Sequence, residues 1–346
     1  MRQSVAYALE ETFMRKVDDI KFGCTGGGAI HQDTYMPPPR EKVKMVAEAG
    51  VFDYIDKTPP LEELEEYAKA SQEFGLPILS CGWFYTLGRD EKLAERNLYF
   101  ARELGSVVHN TQVMTNNVDG RPVTDQEVAD FYCKIVDFGA KMGVTPCLEV
   151  HVNMWSEHVG RVEKVAQLVK KRGIPFYMTL DHSHVIFKID NPKEQEVQNM
   201  KADIDAGLLE LHPDKPGNVT SAWIANNYVK LMHARAAVPN NPLNIWGKHP
   251  DGRVGRGIQY PFIKPKPGEW HSEWDERKLE PWKQVVRNLL THHAREPKSP
   301  LGFISCEFIP PPDYGGGAKY SILEQNIECA KWMRQLWKET IKKVAA

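Results

Sequence analysis

The sequence predicts a single (β/α)₈ barrel, or TIM barrel, over residues 1–346, with one long insertion after the seventh strand. Short apolar segments alternate with amphipathic segments eight times. Such alternation makes the strands parallel, because each helix serves as the crossover between two strands. Eight units are the number that closes a barrel, and the chain length fits. A doubly wound sheet would need a GxGxxG turn after the first strand, and GCTGGGAIH does not match it.

Each predicted strand is a short run of apolar or β-branched residues, as expected for strands buried on both faces. The eight strands are expected at residues 19–25, 51–56, 77–83, 106–113, 146–155, 175–183, 228–236 and 302–309.

The predicted helices lie between these strands and are amphipathic. Leu64 and Tyr67, for example, recur at helical spacing in the second helix. Thr124 and Glu127 have the spacing of a capping box, and Ser156 is placed to cap the fifth helix. The eight helices are expected at residues 40–50, 61–75, 90–105, 124–143, 156–173, 192–206, 277–296 and 321–343.

The insertion covers residues 237–276 and is dense in Pro, Gly and Trp. It is too long for a simple connection between a strand and a helix, and its large apolar residues can bury surface. Because it follows strand seven, we expect a lid-like segment over the C-terminal mouth of the barrel, or a contact between subunits.

The composition is that of an ordinary globular protein, with 42% hydrophobic and 26% charged residues. The formal net charge of −2 offers no basic excess for a nucleic-acid partner. No stretch approaches the roughly 18 apolar residues of a membrane span. The six cysteines are scattered without a CxxC pair, which favours reduced thiols in a cytoplasmic protein.

Polar residues interrupt the last four strands near their C-terminal ends, where the active sites of such barrels lie. A lone buried carboxylate costs several kcal/mol unless it is paired or bound to a metal. Because four consecutive strands each carry such polar residues at comparable positions, we expect these residues to form one shared site. The residues are Glu149, His151, Asp181, His182, His184, His233, Arg235 and Glu307.

Three carboxylates and one imidazole make a mostly oxygen site, which suits Mn²⁺, Co²⁺ or Mg²⁺ better than a thiolate-rich zinc site would. We expect Mn²⁺. A metal ion here would polarise the carbonyl and hydroxyl oxygens of a substrate and ease removal of the proton next to the carbonyl.

The strand-end residues resemble those of the xylose isomerase-like TIM-barrel superfamily. The similar features are Glu149, Asp181 and His184 in LDHSH, His233 in LMHAR, and Glu307 in ISCEFI. This superfamily includes sugar isomerases, ketose 3-epimerases and family 2 apurinic endonucleases. The resemblance, which spans nearly the whole chain outside the insertion, implies that Glu149, Asp181, His233 and Glu307 bind the metal ion. It also implies that His184 binds substrate and that the two glutamates move the proton.

Other features resemble the catalytic (alpha) subunit of the C-glycoside deglycosidases: His151 beside Glu149, the aromatic insertion, and the long loop at 306–321. This resemblance implies a lyase that cleaves a 3-keto-C-glycoside by β-elimination, with His151 as the base and a smaller second subunit as partner. The insertion residues that would face the aromatic leaving group are Trp246, Tyr260, Phe262 and Trp270.

Further substrate contacts are expected from Arg235 and His109, at the ends of strands seven and four, whereas His182 is expected to support the site. The lyase is the main hypothesis, and a sugar isomerase or ketose 3-epimerase acting on a free sugar is the alternative. An endonuclease would need extra histidine ligands on strands two to four, where only His109 is available. A non-catalytic sugar-binding barrel and a homo-oligomer stay open.

Overall fold

A computed structural model of the chain describes residues 14–33 and 35–346. The barrel strands are β1 Lys21–Thr25, β2 Tyr54–Asp56, β3 Ile78–Tyr85, β4 Val108–Val113, β5 Thr145–Glu149, β6 Met178–Leu180, β7 Val229–Ala234 and β10 Phe303–Cys306. These eight parallel strands form a closed barrel in the order β1-β10-β7-β6-β5-β4-β3-β2, and pairing of β2 with β1 completes the ring. This confirms the predicted (β/α)₈ fold.

Helices cover the outside of the barrel and share one hydrophobic cluster with all eight strands. The α-helices are α1 Pro39–Glu48, α2 Leu64–Phe74, α3 Glu91–Glu103, α4 Asp125–Met142, α5 Arg161–Lys170, α6 Ser183–Ile186, α7 Pro192–Gln195, α8 Met200–Asp205, α9 Val219–Ala225, α10 Glu280–Arg295 and α11 Ile322–Ala345. Within the described ranges, no helix is long and apolar enough to cross a membrane.

The predicted start of α4 is confirmed, because Thr124 and Glu127 form the reciprocal hydrogen bonds of a capping box. The cap at Ser156 is wrong, since α5 begins later, at Arg161. The Ser156 hydroxyl instead donates to the carbonyl oxygen of Glu149 at 2.6 Å and accepts a hydrogen bond from the backbone N–H of His151 at 3.1 Å. Ser156 therefore fixes the backbone at the end of β5.

The single helix expected at 192–206 is interrupted. It consists of α7 and α8 with a turn between them, where Gln198 and Asn199 adopt positive φ angles of 57° and 62°. A left-handed backbone at two successive residues cannot continue a right-handed helix. The short helices α6 and α9 were not predicted, because neither is long enough to show a helical repeat.

The insertion at 237–276 packs against the barrel. It begins with an antiparallel hairpin of β8 Asn244–Lys248 and β9 Val254–Gly255, and continues as an irregular segment that buries Ile258, Tyr260 and Phe262. This confirms a long insertion after the seventh barrel strand. A lid movement of the segment stays a prediction.

Candidate functional site

The interior of the barrel has an apolar layer with a polar layer directly above it. Val108, Cys147 and Leu231 form a small buried cluster of their own. Two residues further along the same strands are Asn110, Glu149 and His233. Because side chains two apart in a strand share a face, these polar groups lie just above the apolar cluster, toward the C-terminal mouth.

Glu149 ends β5 and is almost completely buried. Its Oε2 accepts a hydrogen bond from the amide of Asn110 at 2.6 Å and another from the amide of Gln112, both on β4. Its Oε1 lies 2.8 Å from Nδ1 of His233. Burial by itself would raise the pKa of Glu149, but His233 outweighs burial and lowers the pKa to about 2. The side chain is therefore a fixed carboxylate.

His233 and Glu307 meet Glu149 from the neighbouring side of the ring. β7 pairs with β10, and the backbone N–H of Glu307 bonds to the carbonyl oxygen of Ala234 at 3.0 Å, which places Glu307 beside the end of β7. Its Oε2 lies 3.2 Å from Nδ1 of His233. Burial alone would lower the pKa of His233, but Glu307 and Glu149 together raise it well above its ordinary value. Two carboxylates thus converge on one imidazole nitrogen.

These three residues offer ligand atoms that all lie within 4.8 Å of one another. Two carboxylates and one imidazole form a donor set that suits a divalent ion of the magnesium or manganese type. Three of the four predicted ligands, Glu149, His233 and Glu307, are therefore brought together, and the side chains present fit a metal ion.

Asp181, the fourth predicted ligand, does not join this group. Its Oδ1 accepts hydrogen bonds from the N–H and the hydroxyl of Ser183, and its Oδ2 binds the guanidinium of Arg235. Arg235 also donates to Oε2 of Glu307 at 2.7 Å. The cation that faces Asp181 in this structure is thus a side chain of the protein, and metal binding by Asp181 stays a prediction.

His151, His184 and Tyr314 form a second group beside Asp181. The Nδ1 of His151 donates to the carbonyl oxygen of Val152 at 2.6 Å, so its Nε2 accepts from the Tyr314 hydroxyl at 3.1 Å. The rings of His151 and His184 lie 4.3 Å apart. Burial lowers the pKa of His184 to about 3, which keeps its imidazole neutral.

Tyr314 covers this group. Its ring lies 4.1 Å from the guanidinium carbon of Arg235, and Arg235 and His184 are buried beneath it. Neither residue is accessible to a substrate in this structure. Their predicted roles in substrate binding, and that of His151 as a base, stay predictions.

An open cavity of about 340 Å³ reaches His233 and Glu307 from the side of β1 to β4. Its floor is formed by the buried residues Asp56, Asn110 and His233. The other polar residues that line it are Thr25, Lys57, Thr58, Gln112 and Glu307. Its mouth is apolar, and there Trp83 and Phe84 stack in parallel with ring centroids 5.2 Å apart. The other apolar residues of the mouth are Met36, Ile309, Pro310 and Pro311.

His109, Tyr260 and Trp246 are not among the described residues that line this cavity, and their expected contacts with substrate stay predictions. His109 lies on the opposite face of β4 from Asn110 and Gln112, and bonds to the Tyr85 hydroxyl at 3.2 Å. The other ring nitrogen of His109 is 3.1 Å from Oγ1 of Thr111.

Two aromatic residues of the insertion, Tyr260 and Trp246, make contacts within the protein. The hydroxyl of buried Tyr260 donates to the carbonyl oxygen of Glu273 and accepts from the N–H of Asp275. Trp246 packs edge-to-face against His271, with Lys319 4.6 Å from its ring centroid. The sequence correctly indicated buried surface in this segment, and the contact of its aromatic residues with substrate stays a prediction.

Sequence reasoning missed Asp56, Asn110, Gln112 and Tyr314. Asn110 and Gln112 alternate with period two on β4, and this alternation was a usable signal because it separates them from His109. Asp56 ends the short strand β2, as Glu149 ends β5, so the rule of polar strand ends applied to it as well. Tyr314 lies in an irregular loop, where no periodicity could identify it.

No family model matches the sequence, and no curated protein matches it. Solved structures do. D-allulose 3-epimerase from Methylomonas sp. in complex with D-allulose is 11% identical, with a TM-score of 0.53 over 92% of this chain and 96% of that chain. L-ribulose 3-epimerase is also 11% identical, with a TM-score of 0.51 over 94% and 96%.

A xylose isomerase-like TIM barrel protein from Mycobacterium smegmatis in complex with magnesium is 12% identical, with a TM-score of 0.52 over 95% of this chain and 100% of that chain. At such identities the similarity establishes the fold alone. The chain thus shares the (β/α)₈ barrel fold of these structures, as the alternation of strands and helices predicted.

Proposed function

We propose that the chain is a metal-dependent enzyme that moves a proton next to the carbonyl group of a sugar, as an isomerase or epimerase. One observation carries this proposal: Glu149 and Glu307 both lie within hydrogen-bonding distance of His233, and His233 and Glu307 line an open cavity. The similar fold of D-allulose 3-epimerase and L-ribulose 3-epimerase supports it.

We propose that Glu149, His233 and Glu307 hold a divalent ion, with Asp181 as the fourth ligand if Arg235 withdraws from it. When bound, such an ion polarises the oxygens of a sugar and lowers the cost of removing an adjacent proton. Manganese is our proposed ion, and the magnesium complex of the mycobacterial neighbour makes magnesium the first competitor.

Of the two glutamates, Glu307 is the better placed to take the proton. It lines the cavity and its side chain is 16% exposed, whereas Glu149 is buried and held by Asn110 and Gln112. Glu307 would accept the proton from the carbon next to the carbonyl and leave an enediolate. Return of a proton to the opposite face gives an epimer, and return to the neighbouring carbon gives an isomer.

The test is exchange of the transferred hydrogen with solvent. The protein, stripped with a chelator and reloaded with Mn²⁺, Mg²⁺ or Co²⁺, is incubated in D₂O with a panel of ketoses and aldoses, and deuterium at carbon is followed by NMR. We expect exchange by the wild type, loss of exchange for Glu307→Gln, and no change for Glu339→Gln, an exposed glutamate of α11. Absence of exchange with every sugar and ion would contradict the proposal.

The second candidate is the lyase that cleaves a 3-keto-C-glycoside by β-elimination. The observation that favours it is the apolar mouth of the cavity, where Trp83 and Phe84 could contact an aromatic leaving group. These residues would replace the insertion aromatics that the sequence suggested. After loss of the C2 proton, the bond between C1 and the aglycone would break as a C1–C2 double bond forms in the sugar. The departing aglycone carbon, rather than the sugar, would then take up a proton.

The two candidates differ in their products. Incubation with a 3-keto-C-glucoside and chromatography of the mixture would show free aglycone for the lyase alone, and Trp83→Ala would weaken binding of the glycoside but not of a free sugar. The protein would be tested both by itself and together with a smaller second subunit as partner. If neither preparation releases any aglycone, the lyase is excluded and the isomerase or epimerase is the function that we propose. A homo-oligomer and a cytoplasmic location are proposed on sequence grounds only.

A further inference from the structure

Asp56 reaches the proposed metal-binding histidine from across the barrel. It ends β2, whereas His233 lies on β7, and these strands are not neighbours in the ring. Its Oδ2 nevertheless lies 3.3 Å from Nε2 of His233, and the Asp56 side chain is only 8% exposed. The contact therefore spans the interior of the barrel at the floor of the cavity.

Two further side chains orient Asp56. The Ser305 hydroxyl donates to Oδ2 of Asp56 at 2.6 Å, and the Tyr54 hydroxyl lies 2.8 Å from Oγ of Ser305. Because Ser305 gives its only hydroxyl proton to Asp56, Tyr54 must donate to Ser305. The result is a chain of buried hydrogen bonds from Tyr54 through Ser305 to the Asp56 carboxylate.

The backbone makes room for this chain. A Cβ atom at Gly23 on β1 would lie 2.4 Å from the Tyr54 ring, so the absence of a side chain there lets the ring occupy its position. Ser305 is the direct neighbour of His233 in the pairing of β10 with β7. Residues of β1, β2, β7 and β10 thus determine the surroundings of the His233 imidazole ring.

We propose that Asp56 is a positioning residue that binds the Nε2 proton of His233 and so directs Nδ1 toward Glu149 and Glu307. An imidazole has two nitrogens, and a carboxylate on one of them fixes both the ring orientation and which nitrogen is free for a metal ion. Asp56 also makes the free nitrogen more basic and hence a better ligand. This inference rests on the proposed metal site.

The experiment measures Mn²⁺ affinity by isothermal titration calorimetry on the full chain, together with the thermal unfolding midpoint. The variants are Asp56→Asn and Ser305→Ala, and the control is Asp53→Asn. Asp53 precedes β2, and its partners are the N–H of Phe22 and the guanidinium of Arg334 rather than His233. A purely structural role would move the unfolding midpoint and leave the affinity of the folded protein unchanged.

We expect Asp56→Asn to weaken Mn²⁺ binding by about 10- to 100-fold, as found for other partners of metal-binding histidines. Ser305→Ala should weaken binding by less, and Asp53→Asn should leave it unchanged. If Asp56→Asn does not fold, the Mn²⁺ affinity of Ser305→Ala tests the positioning role instead. Wild-type affinity in both variants would overturn the positioning role alone, whereas a wild-type protein that binds no Mn²⁺, Mg²⁺ or Co²⁺ would overturn the metal site and this inference together.

Discussion

Arg235 and Asp181 form an ion pair in which neither side chain has any exposed surface. They belong to adjacent strands, since Asp181 follows β6 and Arg235 follows β7. A buried charge is tolerated only while its partner remains, because the desolvation of the ion is otherwise not offset. The pair therefore links the polar ends of two strands.

Replacing Arg235 by Leu should lower the free energy of unfolding by about 3–5 kcal/mol, because it leaves the Asp181 carboxylate buried without its cation. Urea unfolding monitored by circular dichroism gives the value. The double variant Arg235→Leu/Asp181→Asn should recover part of the loss, since the uncompensated charge is then gone. Equal stability of the single and double variants would contradict this account.

Lys188 should be far more important for stability than an exposed lysine in an ion pair. Its fully buried ammonium donates to Glu157 at 3.1 Å and to the carbonyl oxygen of Glu194 at 3.0 Å. Lys188→Met should cost about 3–5 kcal/mol. The control is Lys69→Met, whose exposed pair with Glu65 predicts a change within about 1 kcal/mol. The free energy of unfolding of both variants is measured with urea. Similar losses in the two variants would show that burial of a lysine does not determine its contribution to stability.

Stability should fall in mild acid partly because His109 is buried. Burial lowers its pKa from 6.5 to about 4, so between these values the unfolded chain binds a proton that the folded protein does not. This contribution is fully present above pH 6.5 and is lost as the pH falls toward 4, at up to about 1.4 kcal/mol per pH unit. His109→Gln should reduce the slope of unfolding free energy against pH in this range. An unchanged slope would contradict the role of His109 and show that other groups cause the loss of stability in mild acid.

Arg256 should hold the insertion on the barrel. It donates to Glu157 at 2.5 Å, to Glu194 at 3.2 Å and to the Asn153 side chain at 3.2 Å, and thereby ties the segment to the loops that follow β5 and β6. In Arg256→Met, limited proteolysis within 237–276 should become faster.

The matched control is Arg253→Met, because Arg253 is exposed and pairs with neighbouring Asp251 on the surface. Proteolysis of this variant should proceed at the wild-type rate. If the two arginine variants are cleaved equally fast, the ion pairs of Arg256 do not hold the segment.

The fold could be predicted because each of its eight units is local: a buried strand, a turn and an amphipathic helix. The proposed metal-binding group followed from the same logic, since the C-terminal ends of parallel strands meet at one rim and Glu149, His233 and Glu307 occupy such ends. Asp56 escaped prediction because its partner lies across the barrel, and such contacts depend on strand tilt and stagger. The internal contacts of Tyr260 and Trp246 could not be predicted, because position in the chain does not determine which way a long insertion turns its side chains.

The last barrel strand, β10, pairs with both β1 and β7. Until residues 303–306 have left the ribosome, the nascent chain can form only an incomplete arc, and β1 lacks one of its two partners. Glu307 follows immediately, so the proposed metal-binding group cannot assemble on a partial chain. Any truncation upstream of this strand during synthesis would yield a protein without a complete site, and ion capture would coincide with the final stage of folding.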